Sequence, residues 1–196
     1  VLLPALPYGT ETNQMGFPLA MNLNPSTLGR VIGDLVDSLA KHGVHKLLLL
    51  NGHGGNDLKW LIRELHGRTP VHLFLSNWFK VGVDRYGEIF EKPEDHAGEM
   101  ETSMGLAFFP HLVALDEADE GAVRPSRFEA VARGWVELTR PWHLLTTNSG
   151  SGDPRAASAA KGEAYAELVA GRIGDFLVQL AESPLDADFP FVPTDA

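Results

Sequence analysis

Lys46-Leu47-Leu48-Leu49-Leu50 is apolar on both residue parities after its first position, and it runs directly into Asn51-Gly52-His53-Gly54-Gly55-Asn56. A strand with one wet face alternates in polarity. A strand apolar on both faces belongs to a parallel sheet covered by helices. The flanking pattern agrees with such a sheet. Leu28, Val31, Ile32, Leu35, Val36 and Leu39 recur at helical spacing behind the start signal Asn24-Pro25-Ser26-Thr27. Lys41, His42 and Gly43 suit that helix's last turn and stop. Leu58, Leu61, Ile62 and Leu65 indicate a second helix, and Val71 to Ser76 reads as another strand. With Val1 to Leu6 as a short buried strand, the order is strand, helix, strand, helix, strand. That order predicts an α/β fold with a mainly parallel sheet, right-handed crossovers and helices on both faces. Ligands in such folds gather at the C-terminal ends of strands, here the loops 8–24, 51–56 and 76–80.

The second half is less regular. Asp95 to Phe109 is expected to be a helix that stops before Pro110. Residues 122–145 admit one helix and one short strand, and Ser149 to Pro154 reads as a flexible polar loop or lid. Ala156 to about Glu182 predicts a long helix with Tyr165, Leu168, Val169, Ile173, Phe176, Leu177 and Leu180 as its apolar stripe. From Pro184 on there is little patterning, which suits a mobile or docking tail. At 196 residues, 44% of them hydrophobic, the chain is one domain with a sizeable core.

A net charge of −10, from 16 basic and 26 acidic side chains with no Lys/Arg cluster, disfavours nucleic acid as a partner. No apolar run approaches the roughly 20 residues that span a bilayer, and no signal peptide is visible, so no membrane partner and a cytoplasmic location are expected. With no cysteine, thiolate metal sites and cysteine nucleophiles are excluded. Any transition metal must be held by His and carboxylate. The chain opens on Val1, within what reads as a buried strand, so an N-terminal segment is expected to be missing.

Two constellations can carry chemistry. In the loop after Leu50, three glycines allow a sharp turn and close ligand approach. His53 stands unhindered between two of them, and imidazole is the commonest zinc ligand. The bland alternative is a Gly/Asn turn whose His caps the next helix. The second constellation is Asp95-His96-Ala97-Gly98-Glu99-Met100-Glu101-Thr102-Ser103. Carboxylates in a first helical turn are favoured by the helix dipole alone, but that leaves His96 without a role. His and Glu at this spacing can supply a metal ligand and a proton-transfer group. Trp78, just past a strand end, walls a pocket or packs in the core. His42, His45, His66, His72, His111 and His143 read as structural or solvent-facing.

Pro4-x-x-Pro7-Tyr8-Gly9, Gly16-Phe17-Pro18, the Asn51–Asn56 block, His96-Ala97-Gly98-Glu99-x-Glu101-Thr102-Ser103 and Lys161-Gly162-Glu163 occur in this order. In this the chain resembles the creatininase (creatinine amidohydrolase) family, from Val1 to about Gln179. The resemblance implies a three-layer α/β/α sandwich, a homo-oligomer that is often a hexamer, and two divalent ions, zinc or manganese, activating a water for hydrolysis of small cyclic or linear amides. It implies His53 as a metal ligand, His96 as proton shuttle with Glu101 beside it, and Trp78, Gly54, Glu11 and Gln14 near the substrate. Creatininase carries a metal-binding glutamate where this chain has Gly55, and Glu99 is the implied replacement ligand. The family's Glu-x-His-Gly block and following Asp are absent. Gln14 and Leu19-Ala20 stand where His and Gly-Thr are usual, so creatinine itself is not the expected substrate. The changed loop also leaves open ring-opening of a sugar- or inositol-derived ketone or lactone. The absent block leaves open a non-catalytic assembly subunit.

Overall fold

A computed structural model describes residues 1–193. The first helix, α1 (Pro25–Lys41), starts with Pro25 in its first turn, where a missing N–H costs nothing. It buries Leu28, Ile32 and Val36. It ends in a Schellman arrangement: Gly43 takes φ +73°, its N–H donates to Ala40 O and that of Val44 to Leu39 O. The chain then turns into β1 (Lys46–Asn51), continues through α2 (Lys59–Leu65), and returns as β2 (His72–Asn77). The two strands pair in parallel, from Lys46 opposite His72 to Asn51 opposite Asn77. This is the crossover unit that the alternation of periods predicts.

Leu47, Leu49, Leu73 and Leu75 pack on Leu28, Ile32, Val36 and Leu61 of α1 and α2. On the other face Phe74 meets Phe176 edge to face, with centroids 5.6 Å apart. Phe176 belongs to the long helix that ends the domain; the intervening single-turn helices are α3 (Tyr86–Ile89), α5 (Glu129–Ala132) and α6 (Trp142–Leu145). The helix α4 (Glu99–Phe108) packs along that long helix, α7 (Ala159–Glu182). Between them and α3 lies a second core of Phe90, Met100, Tyr165 and Val169.

Several expectations need correction. Val1 to Leu6 is exposed, and it joins no sheet among the described residues. Of the three strands expected in the first half, the second and third are present among the described residues and pair in parallel. A strand exists only where a neighbour accepts its ladder of hydrogen bonds, and apolar composition cannot supply that neighbour. The helix expected from Asp95 begins at Glu99, because Ala97 takes φ +51° and His96 pairs with Ser151 instead. Residues 122–145 hold two single turns and no strand. The 149–154 loop is tied down: Ser151 N–H donates to His96 O at 2.8 Å, and Gly152 N–H to Gly121 O at 3.1 Å. The tail folds back, with Phe189 against the rings of His72 and Phe74. No helix among the described residues is long and apolar enough to cross a membrane.

Candidate active site

The loop after β1 is held by asparagines. Asn51 is buried, and its amide nitrogen donates to His53 O and to Asn77 Oδ1, each at 2.8 Å. Its Oδ1 accepts from His53 N–H at 3.2 Å and from the Asn56 amide at 3.1 Å. Asn56 Oδ1 in turn accepts from Thr10 N–H at 2.8 Å. The loop is thereby fastened to the 8–12 segment and to the end of β2. A buried amide such as Asn51, with both its nitrogen and its oxygen hydrogen-bonded, holds the surrounding backbone in one conformation. The ring of His53 is left facing the 8–12 segment: its Nε2 lies 3.1 Å from Glu11 Oε1 and 3.2 Å from Thr10 O. A Cβ at Gly55 would run into that same Nε2 and the Thr10 carbonyl.

The second group forms where the chain enters α4. Glu101 Oε2 accepts from Ala97 N–H at 2.6 Å and stands 3.6 Å from His96 Nδ1. Trp142 closes on the imidazole edge to face at 5.1 Å. Glu94 caps the helix from outside, accepting from Met100 N–H at 2.6 Å and Glu101 N–H at 3.1 Å. Burial pushes the Glu94 carboxyl up to about 7; the two amides pull it down, and the nearby carboxylates of Glu101 and Glu99 push it up again.

His53, Gln14, Glu94, His96, Glu101 and Trp142 line one cleft of about 1080 Å³, with Gly54 on its floor. The two motifs are thus brought to one space at the C-terminal ends of the strands. Three expected site residues, Glu11, Glu99 and Trp78, are not among the lining, and Glu11 instead sits against His53 Nε2. Glu99 is fully buried, with Oε1 2.5 Å from Lys161 Nζ and Oε2 accepting from Glu91 and Lys92 N–H at 2.8 and 3.2 Å. Burial works to raise its pKa, but Lys161 and the two amides together overcome this and hold it below the usual carboxylate range. Trp78 donates to Gly52 O at 3.2 Å and packs on Tyr165, so it braces the loop from the core. Trp142 lines the cleft in its place.

Sequence reasoning missed Glu94, Trp142 and the Asn51–Asn77 link. Glu94 lies five residues before the helix, outside the capping-box spacing. Trp142 falls in the unpatterned 122–145 stretch.

The donors near His53 suit a divalent metal of the zinc or manganese kind: an imidazole nitrogen and hard oxygens. Among the described residues, no three or more His, Asp and Glu side chains converge as a closed set. His53 and Glu11 alone fall short of the three protein ligands that a catalytic zinc takes.

Over residues 1–177 the chain matches the Creatininase family model, described as creatinine amidohydrolase. It is 28% identical to the creatinine amidohydrolase of Pseudomonas putida, over 89% of this chain and 73% of that protein. Its structure is similar to that of a Bacteroides fragilis NCTC 9343 protein provisionally assigned as a creatinine amidohydrolase, with a TM-score of 0.86 and 34% identity over 94% of this chain and 73% of the other. It is also similar to a manganese form of creatininase, with a TM-score of 0.66 and 25% identity over 88% of this chain and 72% of the other.

Proposed function

The chain belongs to the creatininase (creatinine amidohydrolase) family, and from that premise we propose that it is a metal-dependent hydrolase of a cyclic or small linear amide. The observation that carries the reading is the single cleft onto which His53 and the His96–Glu101 pair both open. His53 would be one ligand of a divalent ion, which would supply an acidified water and polarise the carbonyl when bound. The protein's own groups do the rest. Glu101 is fixed by Ala97 N–H and faces His96 Nδ1. At 3.6 Å the carboxylate acts on the ring through its charge, favouring positive charge that develops there. His96 then moves a proton to the leaving nitrogen. Trp142 and the 149–154 loop hold the imidazole in place, through its ring edge and its backbone. Gln14 and Gly54 line the volume that a small substrate fills.

The test is turnover of a panel of cyclic amides by the metal-loaded protein, with His96→Ala and Glu101→Gln beside it. Both variants are expected to lose roughly a hundredfold or more in kcat, with KM changed far less, because a proton-transfer group acts mainly in the transition state. If the loaded protein turns over no amide, the reading fails.

A further inference from the structure

Resting on that reading, we propose that Arg140 and Trp142 anchor a carboxylate of the substrate, carried on the nitrogen side of the amide that is cut. The first observation is a stack of three side chains. The guanidinium of Arg140 lies over the Trp142 ring, with Cζ 5.0 Å from its centroid, and the same indole meets the His96 imidazole edge to face at 5.1 Å. All three line the one cleft. The cation is thus held one indole away from the group that protonates the leaving nitrogen. A group gripped there belongs to the amine half of the substrate.

The second is the free edge of the guanidinium. Nη1 donates to Asp95 Oδ2, which fixes the plane of the group. Nε and Nη2 have no acceptor among the described residues. That edge is a fork matched to the two oxygens of a carboxylate, and stacking on an aromatic face leaves it clear. Arg140 is about half exposed, so a ligand reaches it.

The third is a buried donor. Trp142 is almost wholly buried, and its indole N–H finds no acceptor among the described residues. Buried donors are nearly always matched. A ligand oxygen brought to Arg140 comes to the ring that carries this one. The carboxylates of the cleft are meanwhile committed. Asp95 is matched by Arg140, Asp57 accepts from Lys59 N–H, Glu94 from those of Met100 and Glu101, and Glu101 from that of Ala97.

The experiment compares matched pairs that differ only in a carboxylate on the nitrogen side. N-Formylglycine is set against N-methylformamide, and N-carboxymethylsuccinimide against N-methylsuccinimide, as substrates of the metal-loaded full chain. Calorimetry of the unhydrolysable N-methylsulfonylglycine and N-methylmethanesulfonamide reads binding alone. The acid of each pair is expected to be favoured at least about tenfold in kcat/KM and in affinity, as a charge-assisted hydrogen bond allows. The ratio within a pair is the readout, whatever happens to the rates. Arg140→Gln should bring it to about threefold or less, and Arg140→Lys, which keeps the charge and loses the fork, should keep only part of it. Equal treatment of acid and neutral partner by the parent overturns the proposal, as does a preference that survives Arg140→Gln. Should Arg140→Gln not fold, an undiminished ratio in Arg140→Lys overturns it. Turnover of amides without preference for the acids leaves the hydrolase reading standing and removes the anchor. Tighter binding of the sulfonylglycine that depends on Arg140, with no amide turned over, does the reverse.

Discussion

Glu94 joins the stability of α4 to the chemistry of the cleft. It is the cap that presents Glu101, and burial pushes its carboxyl up to about 7 from an ordinary 4.5. An acid whose pKa rises on folding binds its proton more tightly folded than unfolded. Its contribution to stability is therefore most favourable below pH 4.5 and declines as pH climbs to about 7. Glu94→Gln cannot titrate. The difference in unfolding free energy between parent and variant is expected to shift by roughly 1–3 kcal/mol in the variant's favour between about pH 5 and about pH 8. Urea melts at the two pH values check it, and a pH-independent difference refutes it. At this scale the sequence was readable where motif and backbone coincide: His53, His96 and Glu101 all open on the cleft. It was not readable where two distant segments meet. Nothing local to Glu11 reveals that it faces His53, and nothing local to Glu99 reveals Lys161.

Helix α7 comes against α4 at Gly162, where a Cβ would strike Ser103 O and the Ala107 side chain. Gly162→Ala should open that crossing and cost about 1–3 kcal/mol, read as a lower urea midpoint with unchanged slope. Nearby, Lys161→Met strands Glu99 as a buried, unpaired charge and should cost about 3 kcal/mol or more. The double variant Lys161→Met/Glu99→Met should recover much of that loss, since two apolar side chains leave no charge behind. Equal destabilisation in single and double variants would show that the pair's charge is not what matters. Among elements, α1, β1, α2 and β2 were legible because period, cap and stop signals agree. Val1–Leu6 was not: its apolar composition suits a strand, but a strand is a relation between two segments. The start of α4 was misplaced for a similar reason. Ser151, more than fifty positions downstream, holds His96 out of the helix.

Taken whole, the molecule carries a net charge of −10, and its cleft sets carboxylates beside cationic side chains. Such a field draws cations and rejects polyanions. An ion that binds only the folded state stabilises it by mass action. Zn2+ or Mn2+ at a hundred times its dissociation constant should add about 2.7 kcal/mol, seen as a higher melting temperature that EDTA reverses. In His53→Ala the increment should vanish; a full increment there would place the ion elsewhere. The crowding at Gly55 also sets what this loop tolerates: Gly55→Ala drives its methyl into the His53 ring and the Thr10 carbonyl, so the loop must part from the 8–12 segment before it can accept even the smallest side chain.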